Sequence, residues 1–147
     1  MKKIGNIIAV AGILIILILS GLSYWDNKAT APPEKDSVGS TVSAESQAVE
    51  QAKKNGESMW LLFRSTTCAP CIEMQKIYDQ LKPEYKDKVR FIAIDVNDSN
   101  NLDLIRKWQI RYIPTTFIVD GAGKVTYQNV GVIPVEDLKK ELNKVAK

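Results

Sequence analysis

An apolar run, Met59-Trp60-Leu61-Leu62-Phe63, is followed after a short polar stretch by Cys68-Ala69-Pro70-Cys71, and this conjunction limits the chain's fold more than any other feature. A continuous apolar run of that length fits a strand covered on both faces, and therefore one central in a sheet. Beyond the first cysteine, Met74, Ile77, Tyr78 and Leu81 recur at i, i+3, i+4 and i+7. That period predicts an amphipathic helix from Ala69 to about Leu81, which Pro83 helps to end. Val89 to Asp95 reads as a second strand. Strand, helix and strand at this spacing form a βαβ unit with parallel strands and a right-handed crossover. The two cysteines then fall where the first strand gives way to the helix.

The flanking segments complete an α/β pattern. Ser43 caps a short helix through Asn55, with Ala48, Val49 and Ala52 facing inward and Asn55-Gly56 as its stop. Asn100 caps a helix that carries Leu102, Ile105 and Trp108 inward. Thr115–Val119 and Val125–Val130 flank Asp120-Gly121-Ala122-Gly123, whose glycines allow the positive φ of a tight antiparallel hairpin. Pro134 suits the first turn of a last helix, with Glu136 and Asp137 at its positive end and lysines toward its finish. Val135, Leu138, Leu142 and Val145 form its inner face. The expected architecture is a mixed central β-sheet flanked by helices.

Before this domain, Lys2 and Lys3 precede an uncharged, Ile- and Leu-rich run from Ile4 to Trp25. As a helix it is long enough to cross a hydrocarbon core of about 30 Å. Positive charge at the short N-terminal end keeps that end cytoplasmic and puts the rest of the chain outside. A cleaved signal peptide is the rival reading, since Ser20-Gly21-Leu22-Ser23 offers small residues. The length of the run and the lack of an A-x-A site favour an anchor; either way the domain is exported. Residues 26–42, with Pro32-Pro33 and no apolar periodicity, read as a flexible tether. The chain thus divides into an anchor over residues 1–25, a linker over 26–42 and a globular domain over 43–147.

The 147 residues carry a net charge of +3 with the two signs interspersed, which gives no basic stripe for nucleic acid. With no histidine in the chain, the commonest general base and the commonest metal ligand are both missing. Proton transfer is left to carboxylates, lysines, water or the thiols. Asn97-Asp98-Ser99 matches a glycosylation sequon, a short and weak pattern.

Cys68 and Cys71 are the chain's two cysteines. At i and i+3 on a helix they share a face, so the sulfurs can join in a small disulfide ring. Cys71 falls on the buried stripe, three residues before Met74, and Cys68 sits at the open helix start. Unpaired amides and the helix dipole there stabilise a thiolate, lowering the pKa of Cys68 below the free value of about 8.5. Cys68 is the expected nucleophile and Cys71 the resolving thiol, with Pro70 stiffening the turn at no hydrogen-bond cost. A purely structural disulfide would close too small a loop to stabilise much, and zinc needs about four ligands where this pair supplies two. Two inert buried cysteines fit a helix N-terminus poorly. No metal or cofactor is expected beyond the redox-active disulfide itself.

Taken together, Cys68-Ala69-Pro70-Cys71 after an apolar strand, Asp95 ending the next strand, Ile113-Pro114-Thr115 before the third, Gly131 after the fourth and a closing amphipathic helix resemble the thioredoxin superfamily from Ser43 onward. The resemblance implies a thioredoxin fold and a cis Ile113–Pro114 peptide beside the cysteines. It also implies that Ile113 and Pro114 bind substrate, the Ile113 backbone forming a short β-bridge. The sequence departs from the family at Thr67 and Ala69, in place of the usual Trp and Gly around the first cysteine. Leu62 replaces a buried carboxylate and Lys76 a kink proline. What deprotonates Cys71 is left open between Glu73 and water.

Like similar anchored proteins, the chain is expected to reduce disulfides of exported proteins or apocytochrome-like thiols, as a monomer drawing electrons from an integral-membrane thiol carrier. The lack of a histidine between the cysteines removes one device for building a strong oxidant and tilts the expectation toward reduction. Thiol oxidation, disulfide isomerisation and a non-catalytic tethered client-binding module are the alternatives.

Overall fold

The structure is a computed structural model that describes residues 42–146. Helix α1, Ala44–Asn55, begins at Ser43, whose hydroxyl accepts from the Ser46 amide at 2.9 Å, and ends at Gly56 in the left-handed region (φ 68°). Strand β1, Ser58–Arg64, leads into helix α2, Ala69–Tyr85, and strand β2, Val89–Asp95. A 3-10 turn, Ser99–Asn101, precedes helix α3, Leu102–Lys107. Strands β3, Thr115–Val119, and β4, Val125–Val130, form the hairpin, and helix α4, Val135–Val145, closes the domain.

The strands make one four-stranded sheet in the order β2-β1-β3-β4. β1 runs parallel to β2 and antiparallel to β3, so the apolar run is internal, as its composition predicts. Side chains alternate along β1 and divide between two cores. Trp60 and Leu62 pack with Met74, Tyr78, Leu81, Leu138 and Leu142 of α2 and α4. Met59, Leu61 and Phe63 pack with Val49, Ala52 and Leu104 of α1 and α3. Aromatic rings cluster on each side: Trp60, Tyr78 and Phe91 with centroids 4.9–5.0 Å apart, and Phe63, Trp108 and Phe117 at 4.9–6.4 Å.

Several local expectations need correction. Helix α2 continues through Pro83 to Tyr85, because Tyr85 is buried (3% exposed) and its hydroxyl donates to Asn143 of α4 at 2.9 Å. That packing offsets the hydrogen bond a proline removes from a helix. Asp98, rather than Asn100, supplies the cap before α3, its carboxylate accepting from the Asn100 amide at 2.9 Å. The inserted 3-10 turn shifts the helix phase, so Leu104 is buried and Leu102 is 45% exposed. Pro134 stands just before the first turn of α4, its carbonyl accepting from the amides of Asp137 and Leu138 at 3.1 Å.

In the hairpin, Gly123 has φ 81° while Gly121 does not use a positive φ. Gly121 is needed for another reason: a Cβ there would run into the Gly56 carbonyl. Among the described residues no helix is long and apolar enough to cross a membrane. The run Ile4–Trp25 and nearly all of the tether lie outside the described residues.

Candidate functional site

The sheet register collects the chemically distinctive residues at one pole. Arg64 at the end of β1 pairs with Asp95 at the end of β2, and Phe63 pairs with Thr115 at the start of β3. Thr115 in turn pairs with Val130 at the end of β4. The loop before Cys68, the residues after Asp95, the Ile113–Pro114 segment and Gly131 therefore share one edge of the sheet.

Cys68 is the N-cap residue of α2, in an extended conformation, and makes no side-chain capping bond. It is joined to Cys71 in a disulfide across a Cα separation of 5.2 Å. Cys71 is fully buried and Cys68 partly exposed, the asymmetry the helical phase predicts. The Cys68 carbonyl accepts from the Ile72 amide at 3.0 Å, which starts the helical ladder. Ala69 and Pro70 form the first turn, Pro70 adds no donor, and no acidic side chain lies in that turn to oppose a sulfur anion. Leu62 is fully buried, so the face of β1 turned toward α2 carries no carboxylate at that position. Glu73 is exposed.

The Ile113–Pro114 peptide is cis, as the resemblance implies. Its surroundings are tied down on both sides: the Pro114 carbonyl accepts from Gly131 at 2.8 Å, and the Thr115 hydroxyl donates to the Tyr112 carbonyl at 2.6 Å. Among the described residues neither the amide nor the carbonyl of Ile113 has a hydrogen-bond partner. Ile72 (47% exposed), Tyr112 (70%) and Val130 (51%) are exposed apolar side chains next to Cys71, Ile113 and Gly131.

One part of this pole escaped the sequence reading. Ser65, 4% exposed, accepts from the Asn97 side-chain amide at 2.7 Å and from the Thr67 amide at 3.2 Å, and its oxygen lies 3.0 Å from the Thr67 hydroxyl. Asn97 is held in turn by its own amide, which donates to the Asp95 carboxylate at 2.9 Å. The asparagine of the sequon is exposed, with its side-chain amide hydrogen-bonded to Ser65. Small polar residues after two successive strands were the visible signal, but their pairing depends on the β1–β2 register.

A sheet of this order with a disulfide in the first turn of the helix after its central strand defines a thioredoxin-fold thiol-disulfide oxidoreductase. The chain belongs to that family: the family model for the thioredoxin-like domain matches residues 45–146. Over most of its length it is similar to the thiol-disulfide oxidoreductase ResA of Bacillus thuringiensis (strain Al Hakam), with 25% identity over 162 residues that cover 90% of this chain and 94% of that protein. The thioredoxin-like protein YneN of Bacillus subtilis (strain 168) is also 25% identical, over 90% of this chain and 95% of its own. Among solved structures, oxidised thioredoxin O2 from Arabidopsis thaliana matches with a TM-score of 0.60 and 23% identity, covering 69% of this chain and 85% of that one. The protein is a thiol-disulfide oxidoreductase.

Proposed function

We propose that the protein is a membrane-tethered reductase of disulfides in exported proteins, working outside the cytoplasmic membrane by dithiol–disulfide exchange. The observation that supports this chemistry is the asymmetry of the disulfide: Cys68 stands partly exposed at a helix start and Cys71 is buried a turn deeper. In the reduced protein, the Cys68 thiolate attacks one sulfur of a substrate disulfide. A Cys68–substrate disulfide forms, and the other substrate sulfur leaves as a thiolate that takes a proton. Cys71 then gives up its proton and attacks the Cys68 sulfur, closing the Cys68–Cys71 disulfide and releasing the second substrate thiolate. The substrate gains two electrons and two protons per cycle. With Leu62 in place of a carboxylate and Glu73 exposed, water is the acceptor for the Cys71 proton.

Ile113 and Pro114 bind the substrate. The unpartnered Ile113 amide and carbonyl are suited to a two-bond bridge with an extended segment, which the exposed Ile72, Tyr112 and Val130 flank with apolar surface. Thr67, just before the helix, and Ala69 and Pro70 in its first turn present Cys68. Lys2, Lys3 and the apolar run to Trp25 anchor the chain with its N-terminus inside, and residues 26–42 tether the domain. Electrons come from an integral-membrane thiol carrier, since the cytoplasmic reductants do not reach that side. The protein acts as a monomer, without metal or cofactor.

The test is a trap. Cys71→Ser in the full-length chain accumulates mixed disulfides through Cys68, cleaved by dithiothreitol, while Cys68→Ser accumulates none and loses disulfide reduction. Adduct formation through Cys71 alone sinks the assignment. A reduction potential nearer about −270 mV than about −120 mV separates reductase from oxidase.

A further inference from the structure

The Ser65 hydroxyl oxygen has two lone pairs and one proton. Both lone pairs are engaged by N–H donors, the Thr67 amide at 3.2 Å and the Asn97 side-chain amide at 2.7 Å. The bond to the Thr67 oxygen at 3.0 Å therefore takes its proton from Ser65. Polarity runs in one direction, from Asn97 to Ser65 to Thr67, and each acceptor is made a better donor by the bond it receives. Thr67 is left with its own hydroxyl proton, which no acceptor among the described residues takes. Thr67 is exposed and directly precedes Cys68, at the position where the family usually places a tryptophan.

We propose that Thr67 is the hydrogen-bond donor to the sulfur anion that exchange creates at Cys68, and that Ser65 and Asn97 are positioning residues that hold its proton outward. The inference rests on Cys68 being the nucleophile. A tryptophan at this position would offer apolar surface; a hydroxyl with its direction fixed offers a donor to an anion. Bonds to charged partners are the stronger class, and a thiolate is such a partner. Ser65 is nearly buried, and the Asn97 backbone amide donates to the Asp95 carboxylate, which holds the turn that carries the Asn97 side chain to Ser65.

The experiment follows the pH dependence of Cys68 alkylation in the reduced protein, with thermal melts to check folding. Thr67→Val is expected to raise the apparent pKa and to lower the reactive fraction at neutral pH by about threefold or more, whereas Thr67→Ser keeps the wild-type profile. Asn97→Asp replaces the donor by an acceptor, turns the Ser65 proton away from Thr67 and adds a negative charge. Its effect must therefore be larger in the Thr67 background than in the Thr67→Val background. A Thr67→Val profile that matches wild type overturns the proposal, as does an Asn97→Asp effect of equal size in both backgrounds, which would be charge alone. Failure of the Cys68 reading shows separately, as wild-type alkylation no faster than that of free cysteine.

Discussion

Tyr78 shows how one buried side chain links the core beneath the site to pH. It is 3% exposed, against Trp60 and Phe91. Burial pushes its hydroxyl well above the ordinary value of 10.0, with Asp79 adding to the shift and Arg64 opposing it. The folded state thus holds that proton more tightly than the unfolded chain does. The contribution is complete below pH 10 and is lost as pH climbs toward the folded value. The urea midpoint is expected to stay flat through neutral pH and fall in the alkaline range, and Tyr78→Phe to flatten that fall. Tyr85 and Tyr127 are raised by burial in the same direction and leave a residual slope. Leu62, on the same side of β1, gives a second test. Leu62→Asp restores the family's carboxylate to a site built as fully buried hydrocarbon, and is expected to cost about 3 kcal/mol or more in urea denaturation at pH 7. No loss would mean that the site admits water.

At the scale of elements, the contact between the α1–β1 loop and the hairpin loop is the sharpest constraint. Gly56 ends α1 with φ 68° and its carbonyl faces Gly121, where a Cβ would collide with it. Gly121→Ala is expected to lower stability by about 1–3 kcal/mol, because one of two backbones must move, while Ala122→Gly nearby stays within about 1 kcal/mol. Thermal melts of the two variants decide between them. Element types and most boundaries were legible in the sequence: β2, β3 and β4 fall on the expected residues, and α1 has the expected cap and stop. The misses share one cause. Pro83 stays helical since Tyr85 gains burial and a bond to Asn143, and the α3 phase shifts because Asp98 organises a 3-10 turn. Each depends on a partner or a local turn that apolar periodicity does not encode.

For the whole molecule, the sheet register turns distant segments into one site. The domain's two cores and its site lie within residues 42–146, so a protein beginning at Val42 is expected to fold and to keep exchange activity on a soluble disulfide substrate. Loss of folding on that truncation would show that the N-terminal segment contributes to the core. The full chain is expected in the membrane fraction, resistant to carbonate extraction. The sequence alone determined the strand and helix pattern and the placement of the cysteine pair at a helix start, because those follow from neighbours no more than a few residues apart. Only the tertiary structure decided that Asn97 would hold Ser65 from 32 residues away and that an Ile113 backbone with no hydrogen-bond partner among the described residues would stand at the cysteine edge. Hydrogen-bond direction across a sheet depends on strand order and register, which the long-range packing of β1 between β2 and β3 sets.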